Sequence, residues 1–187
     1  MPKLMMSDLQ GRYEGKRVAA AILGGGPSLP GDMARLPMSC LLIAVNYHAF
    51  RLCRPAFMVY NDHPGSDPEL LQAVLEHRAV IRVSPDPTSD VEFDVPVWTG
   101  FYSSNTAAWF ALWMGCDPVI LCGMDCYQGQ QKYFHPYTLD EPSHHYPLAD
   151  HLRPWIEDGH HLLPHPHRLK AMSGPLVSVF GAYQVRA

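Results

Sequence analysis

SSNTAAWFALWMGCDPVILCGMDCYQGQQKY, residues 103–133, reads as a capped helix feeding a buried strand that turns into a loop. Ser103, Ser104, Asn105 and Thr106 supply the side chains that favour a helix start, and Ala107, Ala108, Ala111, Leu112 and Met114 make one broad apolar face. Gly115 stands where a helix stops. The apolar run from Pro118 to Cys122 follows, and Gly123-Met124-Asp125 leads out of it at the carboxyl end. Ligands of open parallel sheets gather beyond those strand ends, so this succession predicts an α/β ligand site. The hydroxyl-rich helix start serves either as a cap or as an anion site, because its amides and dipole favour negative charge. Asp125 suits a ribose or amine contact, or fixes the turn. Tyr127 and Tyr133 follow in the loop, six residues apart.

The chain before this stretch repeats the pattern. VAAAIL at 18–23 is a continuous apolar run, as a strand buried on both faces requires, and it stops at Gly24-Gly25-Gly26-Pro27-Ser28. Three glycines without Cβ atoms let backbone N–H groups approach an anion, with Ser28 adding a hydroxyl or a cap; a plain tight turn has the same composition. The loop matches neither the dinucleotide nor the Walker pattern. Two further runs, Leu41 to Val45 and Phe57 to Tyr60, finish on Asn46 and Asn61. Asparagine tolerates turn geometry, and it equally offers a donor and an acceptor to a base or sugar edge. Leu70, Leu71, Val74 and Leu75 in DPELLQAVLEHR (67–78) predict a crossover helix, AVIRV (79–83) another strand, and Val91 to Thr99 a further extended piece. LVSVF at 176–180 reads as a last strand. The alternation predicts a single Rossmann-like α/β domain over 1–187, with a mainly parallel central sheet flanked by helices, and 134–172 as a lid or acceptor-side excursion.

Composition narrows the function classes. Of 187 residues 47% are hydrophobic and 17% charged, which disfavours disorder. The formal net charge of −4 leaves no electrostatic footprint for nucleic acid. No signal peptide or transmembrane segment is read, and the five cysteines, odd in number and set in apolar segments, suit buried reduced thiols; a cytoplasmic protein is expected. Cys122 and Cys126 fit no common zinc spacing. His144, His145, His151, His160, His161, His165 and His167 lack a clean ligand spacing too, so they read as surface or lid residues, with a zinc site as the alternative.

The order GGGPSL, strand–Asn46, strand–Asn61, the 103–133 stretch and then SHHY at 143–146 resembles bacterial sialyltransferases of glycosyltransferase family 42. The same core is similar to domains of flagellin-glycosylation proteins and MptE-like pterin pyrophosphokinases. The resemblance spans about residues 18–146, and its most specific part is GMDCYQ with Tyr133 six residues after Tyr127. It implies a glycosyltransferase using a CMP-activated, sialic-acid-type donor with inversion and without a metal, the CMP-sugar being a co-substrate and no cofactor being needed. Gly24, Gly25, Gly26, Pro27, Ser28, Asn46 and Asn61 would bind CMP, and Ser103, Ser104, Asn105 and Thr106 would lie along nucleotide and sugar, with Asp125 beside them. Tyr127 and Tyr133 would donate to the departing phosphate. His145, or His144 in the alternative register, would take the proton of a glycan or small-molecule acceptor. The sequence contains no Asp-x-Asp metal motif. A departure is the segment after Tyr146, rich in His and Pro, which leaves sugar and acceptor open. Two other readings stand beside this one: a nucleotide-dependent pyrophosphokinase or phosphotransferase, and a non-catalytic nucleotide-binding protein.

Overall fold

Successive residues of a strand face opposite sides, so an apolar run without alternation must be covered on both faces. That condition organises the structure, a computed structural model that describes residues 3–97, 102–128, 131–136 and 147–184, and only the backbone at 158–161. In chain order the elements are β1 (Ala20–Leu23), α1 (Leu29–Met33), β2 (Leu41–Val45), β3 (Phe57–Val59), α2 (Pro68–Glu76), β4 (Ile81–Val83), α3 (Ser103–Trp113), β5 (Val119–Cys122), α4 (Leu148–His161) and β6 (Leu169–Ala171). The six strands form one parallel sheet in the order β4-β3-β2-β1-β5-β6. Ala20 of β1 pairs with Leu41 of β2 on one side and with Val119 of β5 on the other. The strand order therefore reverses between β1 and β5: from β4 at one edge the chain returns through α3 to β5, beside β1, and begins the other arm. A Rossmann-like α/β domain is the result.

Each face has its own core. Ala20, Ile22, Ile43, Val45, Phe57, Val59, Val119 and Leu121 pack with α3 and with Trp155 of α4. Ala21, Leu23, Ala44, Met58 and Ile120 pack with Leu29 of α1 and with Leu70, Ala73 and Val74 of α2. The expected one-sided α3 is instead buried on every side from Ser103 to Leu112. A helix whose residues are small or apolar all round sits inside a protein rather than on it. In α2 the core-facing set differs from the periodicity reading. Leu71 and Leu75 are 41% and 58% exposed and Ala73 takes their place. Its start is well made, with the Asp67 carboxylate accepting from the amides of Glu69 and Leu70 at 2.9 and 3.2 Å and Pro68 in the first turn.

At the C-terminal end the sequence reading needs correction. LVSVF is not a strand: Val177–Phe180 is a helical turn. The last strand is β6, Leu169–Ala171, so the segment expected as an excursion over 134–172 returns to the sheet beside β5. Its alternation of buried Leu169 and Ala171 with partly exposed Lys170 is that of an edge strand, and the Lys170 ammonium donates to the Phe180 carbonyl at 3.1 Å. Near the N-terminus Leu4–Met5 pairs with Val91–Glu92, which accounts for the extended piece expected after Val91. No helix among the described residues is long and apolar enough to cross a membrane.

Candidate functional site

The loops after β1, β2, β3 and β5 and the start of α3 converge on one cavity of about 310 Å³ at the carboxyl edge, where the strand order reverses. Its walls include Gly24, Gly25, Gly26, Asn46, Asn61, Ser103, Ser104, Asp125, Tyr127 and Tyr133 of the residues expected from sequence. Pro27 and Ser28 do not line it. Asn105 and Thr106 are buried in the body of α3 and do not line it. His144 and His145 lie outside the described residues.

The glycine loop differs in chemistry from the expectation. Its missing Cβ atoms make room for the protein's own groups. A Cβ on Gly26 would sit 2.0 Å from Asp125 Oδ2, and one on Gly25 would sit 2.7 Å from both His48 Cδ2 and Tyr133 Cδ1. Three of its amides are committed as well: Gly24 N donates to the Cys122 carbonyl, Gly26 N to the Gly123 carbonyl, and Ser28 N to Asp125 Oδ2, at 2.9, 2.9 and 3.0 Å. Ser28 Oγ donates to the same carboxylate at 2.9 Å, so Asp125 fixes the turn. Asp32, 1% exposed, completes the clamp by accepting from Gly123 N, Ser173 Oγ and Arg35 Nη2 at 2.9, 2.9 and 2.7 Å.

Asn46 holds a left-handed backbone conformation at φ 54°, with its amide donating to the Val59 carbonyl of the neighbouring strand. Its buried Oδ1 accepts from no described residue. A non-glycine residue kept at positive φ with a buried idle acceptor costs free energy that a bound donor would offset. Cys126 and Tyr127 are also left-handed, at φ 52° and 55°, which swings the Tyr127 ring back toward the cavity after the chain leaves β5. At the start of α3 the Tyr102 side chain does not cap the helix, and Ser103 Oγ accepts from Asn61 N at 3.0 Å and ties it to the end of β3.

The opposite wall is aromatic. Tyr127 and Tyr133 meet edge to face at 6.2 Å, and Lys132 Nζ lies 5.1 and 5.4 Å from their ring centroids. Desolvation pushes the Tyr127 phenol above the ordinary tyrosine range, and a hydrogen bond with Tyr133 opposes the rise. Tyr133 stacks on His48 at 4.3 Å, and the amide of Phe134 donates to the Gly25 carbonyl at 3.0 Å, so this loop closes over the glycine loop. His48 Nδ1 meets His135 Nε2 at 2.9 Å, and His135 Nδ1 meets the Pro136 carbonyl at 2.6 Å. A carbonyl only accepts, so His135 Nδ1 carries a proton; in the neutral ring Nε2 then accepts from His48 Nδ1–H. Burial, with His135 adding to it, lowers the His48 pKa to about 3. The ring is a neutral hydrogen-bonding group whose remaining polar atom is the acceptor Nε2.

Sequence reasoning missed His48, Asp62, Tyr102, Lys132 and Trp155, and placed His151 only among lid histidines. His151, on α4, lines the cavity with its Nδ1 3.2 Å from the Tyr102 hydroxyl and its ring 5.2 Å from that of Tyr127. Lys132 and His48 had a signal, since each lies within two residues of a residue singled out, Tyr133 and Asn46. Burial raises the pKa of all five cysteine thiols, Cys40 to about 11 and Cys116 and Cys126 to about 12, and all five are free. Among the described residues no group of three His, Cys, Asp or Glu side chains is placed to hold a metal ion. Compared with known proteins, the chain matches no family model, no curated protein and no solved structure, which leaves the geometry of this cavity as the ground for any functional reading.

Proposed function

We propose that the cavity binds a nucleotide-activated sugar, a CMP-sugar of the sialic-acid type, and that the protein transfers the sugar to an acceptor hydroxyl with inversion. The observation that carries the reading is the pairing of Tyr127 and Tyr133 on one wall of a crevice at the sheet's reversal point. The opposite wall brings Asn46, Asn61 and Ser103, polar side chains suited to a base and a ribose. The cavity's volume falls at the lower end of the range for small-molecule sites.

In the transfer an acceptor oxygen attacks the anomeric carbon while the bond from that carbon to the phosphate oxygen breaks and its electron pair stays on the phosphate. The acceptor proton goes to a base, assigned to His145 with His144 as the register alternative. The phenols of Tyr127 and Tyr133 donate hydrogen bonds to the oxygen that gains charge, an interaction stronger in the transition state than before it.

The experiment measures CMP-sugar hydrolysis and transfer, alongside CMP affinity, for Tyr127→Phe, Tyr133→Phe, His144→Ala, His145→Ala and His151→Ala. Each tyrosine variant is expected to lose on the order of 10²-fold in kcat with little change in CMP affinity. Loss of the base is expected to cost about 10²–10⁴-fold in transfer. Wild-type rates in all five variants overturn the reading. Binding of ATP only with Mg²⁺, and of CMP under no condition, transfers it to a phosphotransferase.

A further inference from the structure

We infer that Lys132 forms, with Tyr127 and Tyr133, an anion subsite that holds the phosphate of the ligand. The assignment rests on reading the cavity as a nucleotide-sugar site and names which groups meet the phosphate. The glycine loop would be the ordinary place for it, but the amides of Gly24, Gly26 and Ser28 already donate to Cys122, Gly123 and Asp125 and Pro27 has no N–H, so the loop brings no more than the Gly25 amide. The acidic side chains on the cavity, Asp62 and Asp125, repel an anion, and Asp125 sits against the loop itself. Positive charge has to come from elsewhere on the wall.

Lys132 is the one lysine or arginine lining the cavity among the described residues. Its Nζ, 5.1 Å from one phenol ring and 5.4 Å from the other, is held between two electron-rich faces at a distance where a cation is attracted to both. Tyr127, Lys132 and Tyr133 thus line one cavity together, and with the two phenols hydrogen-bonded to each other, the ammonium is the group that brings positive charge to a phosphate oxygen there. Charge makes the placement productive. A CMP-sugar is a phosphodiester with one negative charge, and the departing CMP is a monoester that approaches two as the glycosidic bond breaks. A fixed cation therefore stabilises the product-like phosphate more than the donor, the function a divalent ion serves in metal-dependent transfer.

Calorimetric titration of cytidine, CMP and inorganic pyrophosphate into wild type, Lys132→Met and Lys132→Arg tests this, with thermal unfolding of each variant as the check on folding. Wild type is expected to bind CMP more tightly than cytidine. Lys132→Met is expected to lose roughly 10- to 100-fold in CMP affinity while leaving cytidine unchanged, and Lys132→Arg to keep most of it. Equal CMP affinity in wild type and Lys132→Met overturns the subsite while leaving the nucleotide reading in place. If cytidine and CMP fail to bind but pyrophosphate binds wild type and not Lys132→Met, the nucleotide reading fails and the subsite stands. Absence of binding by every probe sinks both.

Discussion

Taking the His48 ring out of water lowers its pKa to about 3, with His135 beside it acting in the same direction. The unfolded chain takes up a proton near the ordinary value of 6.5, whereas the native ring stays neutral until about pH 3. Between those two values the unfolded state binds more protons, so native stability falls as pH is lowered, by up to about 1.4 kcal/mol per pH unit from this residue. His48→Phe is expected to show a shallower loss of urea midpoint from pH 6.5 toward 4; an unchanged slope means that the ring is already protonated in the native state. The glycines make a second point at this scale. GGG was legible as a tight loop, but what fills the space beside each glycine was not, because Asp125, His48 and Tyr133 come from distant parts of the chain. Gly26→Ala is expected to cost about 1–3 kcal/mol in urea unfolding, since its Cβ would meet a carboxylate and a carbonyl. Stability equal to wild type would mean that the Asp125 turn can open.

Elements were legible where local pattern and burial agree. The apolar runs of β1, β2, β3 and β5 were readable because a central parallel strand is apolar on both faces. β6 was not, since an edge strand interrupted by Lys170 and preceded by Arg168 carries no such run, while LVSVF carries one and forms a helical turn after Pro175. The same limit hid Asp32. On sequence it is one acid in a short helix, yet in the fold it joins α1 to the ends of β5 and β6 through Gly123 and Ser173. Asp32→Ala leaves the buried Gly123 amide without its acceptor and releases Ser173 and Arg35. The expected cost is about 2–4 kcal/mol, read as a lower urea midpoint at unchanged slope. A change below 0.5 kcal/mol would show that these loops hold without the carboxylate.

Over the whole molecule the convergence of strand ends on one edge follows from parallel connectivity, which is why Gly24, Asn46, Asn61 and Ser103 could be grouped before any coordinates. On the opposite wall Tyr127 and Tyr133 were expected through the family resemblance, whereas Lys132 was not, because that wall is built by left-handed residues and a loop folded back over Gly25. The cavity thus takes one wall from the β1–β4 arm of the sheet and the other from the loop after β5, and a ligand filling it touches both. This division leads to a prediction about coupling. A ligand that binds only the native state at 100 times its dissociation constant adds about 2.7 kcal/mol. For a chain of this size that raises the melting temperature by about 5–11 °C. Because both walls are engaged, amide hydrogen exchange in saturating CMP should slow together at residues 46–48, at 61–62 and in the 123–134 loop. Slowing confined to 46–62 would place the nucleotide on the first arm alone and remove Tyr127 and Tyr133 from contact with it. Slowing confined to 123–134 would remove the asparagines instead.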